Sequence, residues 1–198
     1  MASNFSQAFG YKVYIVPLLS TELDLAELSA GGLGAGKFID NTAPLSNSAA
    51  VTETTTPYGL TVGTTALALD GSDDPLRLLG LTSATLSTDT NSETSLTYDD
   101  ETEGFSTSIA TSKSAVIELA GNANFTDAAY KVLRLCERNS VSKNLMAKLA
   151  RIGPVGSTET VYGFGRFTGY NENNEAGSIV SWSCSFEFYG PYALDFSS

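Results

Sequence analysis

Gly31, Gly36 and Lys37, in the run GGLGAGK, have the G-x-x-x-x-G-K spacing of a loop that cradles phosphate. That chemistry needs a buried strand before the loop, a helix after it, and a hydroxyl beside the lysine to hold magnesium. Here the preceding segment is polar and helix-like, and Phe38 stands where the hydroxyl belongs. The run therefore reads as a glycine loop and not as a nucleotide site. Asp89, Glu93, Asp99, Asp100, Glu101 and Glu103 place six acids within fifteen residues, with no base among them. A calcium loop needs acids at tight alternate spacing around a sharp glycine turn, and that pattern is incomplete. The remaining readings are a solvated loop or a patch that repels anions, and Asp70, Asp73 and Asp74 are read the same way.

The chain contains no histidine. This removes the commonest general base and the commonest metal ligand together, so Ser–His–Asp and Cys–His sites are excluded. Zinc would have to rely on Cys136, Cys184 and carboxylates. The two cysteines lie 48 positions apart, match no metal spacing, and are expected to be buried, reduced thiols. An acid pair for glycosidase work finds no spacing that singles it out, and Trp182, the single tryptophan, lies on an apolar strand face. Asn124-Phe125-Thr126 matches a glycosylation acceptor, but no secretory signal accompanies it. No cofactor, no metal and no enzymatic activity are expected.

Charge is unevenly spread. Residues 1–120 hold 15 acids against 4 bases, whereas residues 121–198 hold 7 of each, so the whole net charge of −11 comes from the first three fifths. Such a chain repels nucleic acid, since binding through phosphates needs clustered Lys and Arg. No apolar run reaches membrane-spanning length and no leader opens the chain, so a soluble protein made in the cytoplasm is expected.

The elements that would position these residues are mostly strands. Tyr11–Val16 reads as a strand closed by Pro17, residues 20–30 as a helical turn or two, and residues 39–56 as a long polar arm or loop. Strands follow at 60–70, 77–89, 93–100, 105–112 and 114–121. Over residues 125–138 the period changes: Phe125, Ala128, Val132, Leu135 and Cys136 recur at helical spacing, with Asn124 as the expected cap. Residues 143–152 are ambiguous between strand and helix, and the Gly153-Pro154-Val155-Gly156 turn favours a strand. In TVYGFGRFTGY (160–170), Tyr162, Phe164, Arg166, Thr168 and Tyr170 are expected on one face. Gly163, Gly165 and Gly169 leave the other face thin, as where another backbone packs closely. The cleanest alternation is GSIVSWSCSFEFYG: Val180, Trp182, Cys184, Phe186 and Phe188 face the core, while Ser181, Ser183, Ser185 and Glu187 face away. The fold class is mainly β with one packed helix, in a single domain spanning residues 1–198.

Residues 93–192 resemble the tail tube (major tail) proteins of tailed bacteriophages. The resemblance lies in an ordered set: a Ser/Thr-rich strand pair, then SKSAVIELAGNANFTDAAYKVL with its helix, then a short strand and turn. The aromatic hairpin VYGFGRFTGYNENNEAGSIVSWSCSFEFYG closes the set. Residues 1–92 match only in general organisation. The resemblance implies a two-sheet sandwich or barrel-like β fold with one flanking helix, a hexameric ring whose sheets join across protomers, and rings stacked into a tube. DNA would pass through the tube unbound. The implied partners are other copies, a tape measure protein, a tail terminator, and baseplate or tail-tip proteins, with no membrane; the implied location is the virion tail. Asp99, Asp100, Glu101 and Glu103 become a candidate lumen or inter-ring patch, and Ser181, Ser183, Ser185 and Glu187 a candidate protomer-contact or lumen face. Another self-assembling module, such as a secretion-system tube, head decoration protein or fibre domain, is the alternative.

Overall fold

A computed structural model describes residues 10–19, 51–53, 60–62, 65–67, 76–95, 107–142, 144–153 and 159–196. Eight strands form one antiparallel sheet: β1 (Lys12–Leu19), β5 (Leu76–Leu78), β6 (Leu81–Ser95), β7 (Thr107–Asn122), β8 (Leu145–Ile152), β9 (Thr160–Asn173), β10 (Ser181–Phe188) and β11 (Ala193–Asp195). Their order is β5-β1-β8-β9-β10-β7-β6, with β11 paired to β9. A separate three-stranded sheet holds β2 (Val51–Glu53), β3 (Leu60–Val62) and β4 (Thr65–Leu67). One helix, α1 (Ala128–Asn139), packs against the large sheet. The mainly-β expectation holds.

β9 joins the two halves of the large sheet. Its residues 160–165 pair with β8, and its residues 165–173 pair with β10. At the crossover a Cβ on Gly165 would lie 2.1 Å from the Glu187 carbonyl oxygen and 2.8 Å from the Phe186 ring. The close backbone approach expected of these glycines is thus present at Gly165. From there the sheet curls until its two halves face each other. The Arg151 guanidinium, on β8, reaches through Nη1 to the carbonyl of Ala84 on β6, at 3.0 Å. Those strands are four places apart in the sheet.

The interior so enclosed is apolar. Val13, Ile15, Leu76, Leu78, Ile117, Leu119, Leu149, Val161, Phe167, Trp182, Cys184 and Phe186 are all buried in it. The helix closes it with Ala128, Ala129, Val132, Leu133 and Cys136 at helical spacing. A smaller cluster of Met146, Ala150, Tyr162 and Phe164 occupies the other face of β8 and β9.

The helix begins later than the apolar period suggests. Asp127, not Asn124, is the cap: its Oδ1 accepts from the Ala129 amide at 3.2 Å, and its Oδ2 accepts from Leu79 N at 3.0 Å. Asn124 instead turns onto Thr126, accepting from both its amide and its hydroxyl. Phe125 lies outside the helix and is 55% exposed.

Four strand expectations are corrected. Pro17 does not close β1, which runs on to Leu19 with Pro17 opposite Ala147. A proline is admissible there because, among the described residues, the other neighbour, β5, pairs with β1 only as far as Ile15. Residues 60–70 are not one strand; β3 and β4 pair antiparallel as a hairpin, with Val62 opposite Thr65. The expected strands 77–89 and 93–100 are recut at Gly80 (φ 77°), giving β5 and the 15-residue β6. Those at 105–112 and 114–121 are one 16-residue β7. The Ser/Thr runs carry no punctuation where breaks were expected, whereas a left-handed glycine does. Residues 143–152 form a strand, β8, as the following turn implied.

Candidate functional site

The polar side of β10 is built by alternation. Ser181, Ser183 and Glu187 are exposed and Ser185 is half-buried, while Trp182, Cys184 and Phe186 are buried beneath them. The register then extends this face sideways. Ser181 stands between Asn173 of β9 and Asn122 of β7, Ser183 between Asn171 and Ala120, Ser185 between Thr168 and Glu118, and Glu187 between Arg166 and Val116. Beyond β7, β6 adds Ser83, Thr85 and Ser87 in the same rows. The result is a four-strand surface of hydroxyls and amides. Its charges, Glu118, Glu187 and Arg166, are few.

Hydrogen bonds hold some of these side chains in place. Thr168 Oγ1 donates to Glu187 Oε1 at 2.9 Å, and the hydroxyls of Ser83 and Thr85 lie 3.2 Å apart. Arg166 donates through Nη2 to Asn144 Oδ1. Between β6, β7, β10 and β9 a shallow groove is lined by Thr82, Asn122, Asn171, Asn173, Ser181 and Ser183. On this face the one hydroxyl recorded against a carboxylate is that of Thr168, bonded to Glu187. The chemistry of the face is to hold water and to offer short, neutral hydrogen-bonding groups.

A bulge in β9 decides which of its residues join the face. Between Ser183 and Ser185 the pairing shifts from Asn171 to Thr168, so three residues of β9 span two of β10. Gly169 within that step has φ 65°, which only glycine adopts at little cost. Past the bulge the alternation inverts. Tyr162 and Phe164 lie on the face opposite the main core, but Tyr170 and Glu172 turn toward the helix. The single face expected for Tyr162, Phe164, Arg166, Thr168 and Tyr170 is therefore corrected: Tyr170 leaves it.

Turning Tyr170 inward creates a cluster that periodicity did not reveal. Tyr170 donates its hydroxyl to Glu172 Oε2 at 2.6 Å. The Tyr130 hydroxyl, from α1, lies 2.5 Å from that of Tyr170 and 3.2 Å from the same carboxylate oxygen. Arg134, one helical turn on, places Nη1 3.4 Å from Glu172 and its guanidinium 4.8 Å from the Tyr170 ring centroid. Trp182 stacks on Tyr170 with an interplanar angle of 13°. The Tyr170 hydrogen bond, seconded by one from Asn174 Nδ2, holds the Glu172 carboxyl below its usual range. Burial and the carboxylate beside them push both tyrosine hydroxyls up, burial first. This cluster fastens the helix to β9. Burial alone likewise pushes the Cys136 thiol up to about 12, and burial chiefly does the same for Cys184, which leaves two unreactive free thiols.

Of the residues singled out in the sequence, Ser181, Ser183, Ser185 and Glu187 share one surface. Asp99, Asp100, Glu101 and Glu103 fall between β6 and β7, outside the described residues, as do Gly31–Lys37 and most of the arm 39–56.

No protein-family model matches the chain, and no curated protein matches it. Among solved structures the chain is similar to the virion of a native gene transfer agent particle, at 16% identity and a TM-score of 0.47, over 60% of this chain and 85% of that one. It is similar to the tail of an empty gene transfer agent particle of C6 symmetry, at 19% identity and a TM-score of 0.49, over 67% and 92%. A third likeness is to the SPP1 tail tube, at 14% identity and a TM-score of 0.40, over 59% and 66%. At these identities the likeness is one of chain path alone.

Proposed function

We propose that this chain is a structural tail tube protein, whose copies form hexameric rings that stack into the conduit for DNA. The observation that carries the reading is the four-strand face of Ser181, Ser183, Ser185 and their neighbours, which is small and polar and lies over a buried apolar core. The ordered resemblance of residues 93–192 supports it independently.

On this reading the polar face is the channel wall. A face of hydrated hydroxyls and amides has little apolar area to bury in a protomer contact, whereas strand edges offer backbone groups for one. The exposed acids Glu118 and Glu187 on that wall discourage phosphates from lingering. Closed rings need a head-to-tail contact whose rotation closes. A tape measure protein, a tail terminator and baseplate or tail-tip proteins are the further partners, the virion is the location, and no catalytic step is assigned.

Electron microscopy of the purified chain tests this directly. Rings or stacked tubes with a central hole are expected on concentration. A monodisperse monomer at every concentration would overturn the reading.

A further inference from the structure

The exposed side of α1 carries a stripe of cations. Lys131, Arg134 and Arg138 follow one another at helical spacing, a span of about 10 Å at ~1.5 Å per residue. They are three of the chain's 11 basic residues. Arg134 and Arg138 are exposed, and Lys131 is half-buried. Between this stripe and β9 runs a groove of about 410 Å³, lined among the described residues by Lys131, Arg134, Leu135, Glu137, Arg138 and Tyr170. Arg134 is set in it by Glu172, 3.4 Å from Nη1, and by the Tyr170 ring, 4.8 Å from the guanidinium. Glu137 is the one acid among these lining residues, and the half-buried Leu135 and Tyr170 supply apolar surface. Arg138 suits the C-terminal end of the helix dipole, but Lys131 stands near its positive end, so the dipole does not account for the stripe.

We propose that this groove docks an acidic peptide segment of another protein. Three cations against one acid call for carboxylates or phosphates, and arginine forks bind both. A long polyanion such as DNA must also meet the rest of a chain whose net charge is −11. A short peptide meets the stripe alone. A free phosphate gains nothing from Leu135 and the Tyr170 ring, whereas the apolar side chains among a peptide's acids bury area against them. Tyr170 and Trp182 meet α1 on the side of the sheet opposite Ser181 and Ser183. The groove is therefore separate from the polar face, and the docking does not rest on the tube reading.

A fluorescein-labelled octaglutamate peptide is the probe, followed by fluorescence anisotropy on the full chain at low salt. Saturable binding is expected, with an octaglutamine peptide inert. Lys131→Gln with Arg138→Gln removes the two outer cations and keeps the Arg134–Glu172 pair. Affinity for octaglutamate should then fall at least about tenfold at an unchanged urea midpoint. Lys12→Gln with Lys113→Gln makes the same change in net charge at exposed sites elsewhere, and should lower affinity by less than about twofold. No saturable binding, or equal losses in the two double variants, would overturn the site. Displacement of the peptide by inorganic phosphate at equal concentration, or by a DNA duplex that binds more tightly, would overturn the peptide as occupant. If the groove variant does not fold, carbodiimide coupling on the parent chain decides. The peptide's carboxylates should form amides with Lys131, and coupling only at other lysines would refute the docking.

Discussion

Arg151 on β8 donates a hydrogen bond to the main-chain carbonyl of Ala84 on β6, across the interior of a sheet in which four steps separate the two strands. The same guanidinium bonds Glu159 through Nη2 and lies 5.0 Å from the Tyr11 ring centroid. One buried cation thus ties three parts of the curled sheet together, 6% exposed.

Arg151→Ala should destabilise the fold by about 3 kcal/mol, because it leaves the Ala84 carbonyl without this donor and opens a cavity. Arg151→Lys should recover little, since an ammonium cannot reproduce the planar fork. Urea unfolding measures both, and an unchanged midpoint for Arg151→Ala would contradict the closure described.

Glu172 makes stability depend on acid. Its folded carboxyl is held below its unfolded value, chiefly by the Tyr170 hydroxyl. Its contribution is therefore fully present above the unfolded pKa and is lost as pH falls through the folded one. Glu172→Gln should be less stable than the parent near neutral pH, and the gap between the two should close on acidification from about pH 5 to about pH 2. A gap of constant size across a pH series of thermal melts would exclude this.

Two glycines of β9 should respond differently to alanine. At Gly165 a methyl would collide with the Glu187 carbonyl and the Phe186 ring, so Gly165→Ala should cost about 3 kcal/mol or more. At Gly169 no atom lies within 4 Å of the added methyl, and only the left-handed backbone resists, so Gly169→Ala should cost about 1 kcal/mol. Chemical denaturation ranks them, and the reverse order would refute the bend and the bulge as described.

Trp182 packs between Tyr130 and Tyr170 and is 3% exposed. Trp182→Ala should lower stability by roughly 3–5 kcal/mol. A negligible shift in the unfolding midpoint would place the indole outside the core.

On the proposed tube reading, Ser181 and Ser183 face the channel. Ser181→Lys with Ser183→Lys should leave monomer stability within about 0.5 kcal/mol, because both sites are exposed. Assembled tubes carrying both changes should retain DNA at low salt and release it as salt rises. Tubes that bind no DNA at low ionic strength would argue that this face points elsewhere.

Alternation alone was enough to separate the two faces of β10, because successive strand side chains must point to opposite sides wherever the strand lies. Helical spacing locates α1 for the same reason, and the missing side chain of Gly165 marks the close backbone approach of Glu187. The cap was less legible: Asn124 and Asp127 are both good capping residues, and the choice fell to Asp127 because its second oxygen also bonds Leu79, 48 residues away. Tyr170 shows the limit most clearly. Its sequence parity with Tyr162 and Phe164 is real, but a single extra residue at the Gly169 bulge reverses its face and sends it to Tyr130, Arg134 and Glu172. A bulge is set by how β9 must fit β10, and the reach of Arg151 to Ala84 by how far the whole sheet curls. Both depend on pairings between residues far apart in the chain, which a local period cannot encode.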